Sequence, residues 1–488
     1  MTLAATKSGG EITLQLTHTP DHEDGPSKTA MDPLTGLHVH FIGIGGSGMN
    51  GLAQMLIQSS AIVSGTDRTR SMATEKLSAL GAHIDYVHGA AAVPPECDLV
   101  VHSAAIKADH PEMLEAARRG LKILKYAQLL GHMMSSRQGI AIAGTHGKST
   151  TTAMTAYALT QAAMDPSFVV GANCRQLQGS AHGGGGRLFV VEACEYDRSF
   201  LNLHPHIAAI LNIEEDHLDY YHDIEEIIAA FAQLLRQVDP AGTIITQAQD
   251  EHCLAAARAA GVQIETYGIE TPACWQAVNL TTDHGRQSFD VLQNNRPMGR
   301  LTTRLAGRHN VGNALVTAAI GVHCGAKWQA VADGIANFGG VDRRSEFLGQ
   351  RGGINFVDDY GHHPTEIRAT LQALRDHYAP RRLICVFQPH QHSRTRFLLN
   401  DFARSFAHAD LTIVPDIYFV RDSELDRQAV NAAMLVDRIR ANGRQARYIP
   451  DFPGIVNYLQ EQLQPGDLVV SMGAGPGWEI THELVRRL

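Results

Sequence analysis

Residues 139–143 read Gly-Ile-Ala-Ile-Ala and pass straight into Gly144, Thr145, His146, Gly147, Lys148, Ser149 and Thr150, after which a helix-forming stretch runs to Gln161. This is the pattern of a strand, a tight loop of small residues and a helix N-terminus, a unit that belongs in a parallel α/β sheet. In such a loop backbone N–H groups converge on a polyphosphate, the helix end adds partial positive charge, Lys148 reaches the outer phosphates and Ser149 can ligate magnesium. The usual pattern places a first glycine five residues before Gly147, where this chain has Ile142. The loop is therefore a shortened variant, and taken alone it also fits an ordinary turn.

A second glycine loop lies near the N-terminus. Residues 38–42 form an apolar run, Gly43, Gly45, Gly46, Ser47 and Gly48 supply a G-x-G-x-x-G spacing, and residues 49–58 are apolar at helical intervals. A further short strand over 61–65 is followed by Asp67, close to the position from which a carboxylate meets a ribose hydroxyl. A dinucleotide or a nucleotide diphosphate fits this loop, and so does a ligand-free βα turn.

The length of 488 residues suggests about three domains, and 44% hydrophobic residues suffice for large cores. A net charge of −9 without a polybasic run argues against an electrostatic grip on nucleic acid. The seven cysteines form no C-x-x-C pair, which fits a reducing compartment, and no apolar run is long enough to insert in a membrane. A cytoplasmic protein is expected. Residues 1–36 are polar, without the apolar stretch of a signal peptide, and are expected to be a disordered tail.

Strand-like and helical runs alternate through three blocks, 37–136, 137–340 and 341–488. The expected fold is α/β with an N-terminal Rossmann-like domain, a central P-loop ATPase-like domain and a C-terminal doubly wound Rossmann-like domain. Residues 183–186, four consecutive glycines, are expected to be a flexible loop.

Ligands of open α/β sheets bind beyond the C-terminal strand ends. Glu192 follows one strand, and Glu214, Glu215, Asp216 and His217 follow another; such carboxylates hold magnesium or water, or cap the next helix. Asp358 to Pro364 read D-D-Y-G-H-H-P after a strand of the third block; no accompanying ligand pattern favours zinc there. After a further strand, Arg394 and Arg396 suit a carboxylate or phosphate.

Taken together, G-T-H-G-K-S-T, E-A-x-E-x-D-x-S-F from Glu192, N-I-E-x-D-H from Asn212, G-R-H-N from Gly307 and D-D-Y-G-H-H-P closely resemble the Mur ligases, in order along residues 37–475. The resemblance implies a peptidoglycan-pathway enzyme in which ATP phosphorylates the carboxylate of UDP-N-acetylmuramate and the amine of L-alanine attacks the acyl phosphate. It implies catalytic roles for Lys148, Glu192 and His217, with Ser149, Glu192 and His217 as magnesium ligands. Gly144 to Thr150 would cradle ATP, with His309 and Asn310 near adenine and Arg344 and Asp359 contacting ATP from the C-terminal block. The first loop, with Asp67 and Ser103, would hold the UDP-sugar; His363, His390 and Arg394 would lie near the amino acid.

The chain has no lysine between Lys148 and Lys327. The carbamylated lysine of most amino-acid-adding relatives is therefore ruled out, which fits the alanine-adding branch. Departures from the family pattern are Ser345 within R-R-S-E-F, Gln391 where arginine is frequent, His392 where tyrosine is frequent, and residues 415–420. The first of these leaves open which arginine approaches ATP; the pair at 391 and 392 flanks the expected amino-acid pocket. Glycine or serine would compete with alanine there, since one methyl group discriminates by about 1–3 kcal/mol. A ligase that recycles a preformed peptide, a non-catalytic UDP-sugar and ATP sensor and a nicotinamide oxidoreductase are the competing expectations, and the protein is expected as a monomer or weak homodimer. Lys148→Ala is expected to stop turnover with little change in folding.

Overall fold

The structure, a computed structural model, describes residues 2–8, 11–17, 34–283, 285–420 and 422–488. They group into two compact units that interleave along the chain. Of the expected tail, Thr2–Ser8 and Glu11–Thr17 pair as antiparallel strands, and residues 18–33 lie outside the described residues.

The first unit comprises Met1–Ile213, Ile227–Tyr267 and Val316–Gly334. Its first sheet is wholly parallel, in the spatial order His83–Asp85, Ile62–Thr66, His38–Ile42, Leu99–His102, Lys122–Lys125. The helix Ser47–Gln58 buries Met49, Leu52, Ala53 and Leu56, the i, i+3, i+4, i+7 set that the sequence periodicity predicts. Because His38–Ile42 has a parallel neighbour on each side, the chain crosses over in opposite directions from it. The loop at 43–46 thus leaves the sheet at its topological switch point.

The second sheet of this unit repeats the device. Gln138–Ala143 lies between Leu188–Glu192 and Ile207–Ile210, and both pairings are parallel. Ser167–Cys174 and Gly179–His182 extend the sheet on one side, Thr243–Gln247 and Glu265–Ile269 on the other. The helix Lys148–Gln161 is polar in sequence yet buried along most of its length. Two of its threonines are satisfied inside: Thr152 donates to the Lys148 carbonyl at 2.8 Å, and the Thr155 and Thr317 hydroxyls meet at 3.2 Å.

The loop expected at 183–186 is present, and hydrogen bonds hold it at several points. Arg137 donates to the Gly184 and Gly186 carbonyls at 2.9 and 3.0 Å, and the N–H of Gly185 donates to Asp165 at 2.7 Å. A Cβ on Gly184 or Gly186 would lie 2.2 or 2.1 Å from the carbonyl oxygen of Asp165 or Met164. The glycines permit close backbone approach.

The second unit comprises Glu214–Glu226, Gly268–Leu315 and Ile335–Leu488. It contains an antiparallel meander, Trp275–Asp283, Arg286–Gln293 and Arg296–Thr303, that the sequence reading did not anticipate. Its main sheet runs Glu346–Arg351, Ile354–Asp359, Asp467–Met472, Arg382–Phe387, Leu411–Val414, Ala446–Tyr448, parallel except for the first pair. Along Arg382–Phe387 the side chains alternate between two cores, Leu383, Cys385 and Phe387 in one and Ile384 and Val386 in the other. Both faces of the strand are covered, which is why its sequence reads as a continuous apolar run.

Candidate active site

In the first unit the loop after Ala143 turns through Gly147 at φ +83°, a conformation that L side chains rarely adopt, and the helix begins at Lys148. Asn212 fixes the loop from the adjacent strand end: its amide accepts from the His146 N–H at 2.7 Å and donates to the His146 carbonyl at 3.1 Å, while its backbone carbonyl accepts from the Thr145 N–H at 3.0 Å. The Lys148 ammonium is folded onto its own loop, donating to the Gly144 and Thr145 carbonyls at 2.6 and 3.0 Å and to Glu195 at 2.9 Å. Burial opposes the ammonium charge, but Glu195, aided by Glu192, outweighs that and raises its pKa above the ordinary lysine value.

One helical position further on, the buried Ser149 hydroxyl donates to Glu192 at 3.1 Å, and the other Glu192 oxygen accepts from the Gly171 N–H at 2.6 Å. A hydroxyl beside a carboxylate is a hard oxygen donor pair of the kind magnesium takes. Thr150 is buried in the first helical turn.

At the first glycine loop the N–H groups of Gly43 and Ile44 donate to the Thr66 carbonyl, and that of Gly45 donates to Asp67 at 2.7 Å. Asp67 thus serves the loop directly. Gly46 precedes the helix, Ser47 and Gly48 open it, and Ser103 lies just past the neighbouring strand, with its hydroxyl 3.7 Å from where a Cβ on Gly43 would sit.

The second unit gathers another set. Arg394 donates to the buried Asp216 at 2.6 Å and approaches the His390 ring nitrogen at 3.5 Å; His362 lies 3.8 Å from Asp216. Burial would raise the Asp216 pKa, but Arg394 foremost, then His362 and His217, hold it well below the carboxylate range. His217 follows directly at φ +55°, its N–H donating to Asp216 at 2.7 Å. A small cleft is lined by Asp216, His217, Gln391, Ser393, Arg394 and Phe397.

His363, expected near the amino acid, stands next to His362 at a helix start. It caps the helix Pro364–Tyr378, accepting from the Thr365 N–H at 3.3 Å, and its other ring nitrogen lies 3.2 Å from the Glu215 carbonyl. The preceding residue, His362, is the one that shares Asp216 with Arg394.

Which arginine of the R-R pair is available also has a geometric answer. Arg343 donates to Asp358 at 3.1 Å and to the Gly473 and Gly475 carbonyls at 2.8 and 3.2 Å, so it ties strand ends together. Arg344 packs over the Tyr360 ring and pairs with Glu366 at 3.5 Å. Asp359 accepts from the Ser345 N–H at 2.6 Å, the Ser345 hydroxyl at 3.0 Å and the Gly361 N–H at 2.7 Å. The departure at Ser345 thus adds a donor to that carboxylate. Asn310 is buried and donates to the Ala306 carbonyl at 2.7 Å, whereas His309 is exposed.

Burial raises the Asp359 pKa to about 6, although Arg344 and two backbone N–H groups oppose the shift. With an unfolded value of 3.8, the native state binds more protons between pH 4 and 6, so this group's contribution to stability falls as pH rises through that window. The loss totals about 3 kcal/mol above pH 6. The urea midpoint of Asp359→Asn relative to the parent protein should therefore move upward between pH 4 and pH 7; a pH-independent difference would refute the assignment.

Sequence reasoning did not assign Glu195 or His362, and it named Asp216 only among the residues after its strand that hold magnesium or water or cap the next helix. The available signals were the second acid of E-A-x-E, the acid before His217 and the first histidine of the H-H pair, each lying inside a motif already noted.

Comparison with known proteins matches three family profiles in order: "Mur ligase family, catalytic domain" over residues 38–138, "Mur ligase middle domain" over 142–321, and "Mur ligase, glutamate ligase domain" over 343–475. UDP-N-acetylmuramate–L-alanine ligase of Acetivibrio thermocellus is 40% identical over 453 residues, 92% of this chain and 96% of that protein. The enzyme of the same name from Clostridium novyi is 40% identical over 91% of this chain and 96% of its own length. Among solved structures, the UDP-N-acetylmuramate–alanine ligase of Thermotoga maritima is 25% identical with a TM-score of 0.78, covering 92% of this chain and 99% of that one. A murein peptide ligase of Psychrobacter arcticus is 26% identical with a TM-score of 0.69, covering 92% and 98%.

Proposed function

The chain belongs to the Mur ligase family, and from that premise we propose that it is the ATP-dependent ligase that joins L-alanine to the carboxylate of UDP-N-acetylmuramate in peptidoglycan precursor synthesis. The observation that carries this reading is the agreement of local geometry with whole-length likeness. Two glycine loops leave parallel sheets at switch points, one of them carrying Lys148 and Ser149 beside Glu192 of the adjacent strand, and relatives of that activity match over nearly their full length.

The chemistry requires a carboxylate, a poor electrophile, to gain a leaving group. The γ-phosphoryl group of ATP transfers to a carboxylate oxygen, ADP departs, the alanine amine attacks the acyl carbon, and phosphate leaves as the amide forms. The protein's part is positioning and neutralisation of spread negative charge. Lys148 exchanges its loop carbonyls and Glu195 for phosphate oxygens, and the N–H groups of the 144–150 loop and the helix start face the same charge. Ser149 and Glu192 would hold magnesium, with His217 proposed for a second ion; when bound, such an ion neutralises phosphate charge. Arg344, Asp359, His309 and Asn310 are proposed ATP contacts, and the 43–48 loop with Asp67 and Ser103 is proposed to hold the UDP-sugar.

Arg394 is the proposed partner of the alanine carboxylate, with His390, His362 and His363 nearby, beside a small cleft. Among the described residues no helix is long and apolar enough to cross a membrane; the proposed place of action is the cytoplasm, where ATP and the sugar nucleotide are available.

Phosphate release from ATP and magnesium should require both UDP-N-acetylmuramate and L-alanine, with weaker release for glycine and L-serine. Release with a stem tripeptide but not with free alanine would move the assignment to peptide recycling, and none under any combination would favour a sensor.

A further inference from the structure

In the first unit, a buried carboxylate is surrounded by imidazoles. Glu112 is fully buried, its two oxygens meeting Nε2 of His40 at 3.0 Å, Nδ1 of His88 at 3.0 Å and the Thr66 hydroxyl at 2.8 Å. Burial pushes its pKa up, but those three hydrogen bonds outweigh it and hold the group below its ordinary range, so it is ionised at neutral pH. Among the described residues its ion-pair partners are His40 and His88, with no lysine or arginine.

Two further atoms make this more than a buried pair. Nε2 of His88 and Nδ1 of His110 are both buried without a hydrogen-bond partner, and the two rings stand edge to face with centroids 5.1 Å apart. An imidazole nitrogen buried without a partner is costly, and Nδ1 of His110 is one that a ligand could satisfy. Ligand atoms of His88, His110 and Glu112 lie within 4.8 Å of one another. On a four-coordinate ion, bonds of about 2.0–2.2 Å hold ligand atoms about 3.3–3.6 Å apart, so these side chains would close by about 1 Å, with Nδ1 of His88 exchanging its hydrogen bond to Glu112 for the ion.

We propose that His88, His110 and Glu112 form a binding site for one borderline divalent cation of the zinc class. Two imidazoles and a carboxylate are a donor set that zinc favours over magnesium, with water completing four-coordination. His40 and Thr66, bonded to the same carboxylate, orient it as outer partners do in metal sites. The site has a path to the sugar-nucleotide loop: Thr66 is also the residue whose carbonyl accepts from the Gly43 and Ile44 N–H groups, and His40 sits on the strand that leads into that loop.

The test is cobalt(II) titration of the full chain, which gives an intense visible absorption when the ion is four-coordinate with nitrogen ligands and a pale one when octahedral among oxygens, as at a magnesium site. The parent protein should show one equivalent of the intense band, displaced by zinc. His110→Asn should weaken that binding by about tenfold or more. His110 is the N-cap of the helix Pro111–Arg118 without a side-chain capping bond, and asparagine is a strong N-cap; the variant should keep the parent's melting temperature without metal and its cobalt affinity at the oxygen site. His88→Gln should lose the band as well. Absence of the intense band in the parent, or its persistence at full strength in both variants, would overturn the proposal.

Discussion

Replacing Lys148 by alanine is expected to lower the rate of phosphate release by about a thousandfold or more, the scale at which one preorganised charge contact to a transition state is lost. The sequence reading expected little effect on folding, and the structure corrects that expectation. Lys148 and Glu195 form a pair with side-chain exposures of 13% and 4%, the oxygen 2.9 Å from the ammonium. Removing the lysine leaves a carboxylate buried without its counter-ion, a change that costs about 3–5 kcal/mol. Lys148→Ala should therefore melt well below the parent protein, and Lys148→Ala combined with Glu195→Gln should recover most of that loss without recovering turnover. A fully active Lys148→Ala would remove the phosphate-loop mechanism altogether.

Arg394→Ala is expected to raise the Michaelis constant for alanine by about 10- to 100-fold while leaving that for ATP within about twofold, because hydrogen bonds between charged groups contribute about 1.5–3 kcal/mol. The guanidinium is already bonded to Asp216, so it presents only its remaining donors to a substrate carboxylate. Removing it also takes from Asp216 its foremost counter-ion, and Arg394→Ala with Asp216→Asn should restore stability but leave the alanine dependence impaired. Steady-state kinetics with each substrate varied separately, beside thermal unfolding of the three proteins, separates the two effects. An unchanged alanine constant in Arg394→Ala would move the carboxylate site elsewhere.

The parts legible from sequence were those where physics leaves few choices. A strand covered on both faces must be apolar throughout, so Gln138–Ala143 and Arg382–Phe387 were visible as runs, and the glycine loops that follow switch-point strands carried their own spacing. The cradle residues Lys148 and Ser149 came with the loop. Pairings across long separations were not visible: Arg394 and Asp216 are 178 positions apart, and nothing in either neighbourhood names the other. Nor can composition distinguish His362 from His363, since which one faces Asp216 depends on where the helix begins. The glycine run at 183–186 announced its loop, but not the close backbone approach at Gly184 and Gly186. The meander over 275–303 mixes polar residues into its strands, many of whose positions are exposed, and so lacked the apolar signature.

The three departures around the cleft are neighbours in space. His392 is held by Asp422, through its N–H at 2.6 Å and its ring at 3.2 Å, and it meets Phe419 edge to face. Tyr418 exchanges backbone hydrogen bonds with Pro389 and Gln391 and stacks on His390. Gln391 is itself buried at φ +70°, and its N–H is the group that donates to the Tyr418 carbonyl. Anyone grafting amino-acid preference between this enzyme and a relative should therefore treat residues 389–393 and 415–422 as one cassette. Exchanging Gln391 alone would leave the inherited backbone and its tyrosine prop fitted to the wrong occupant.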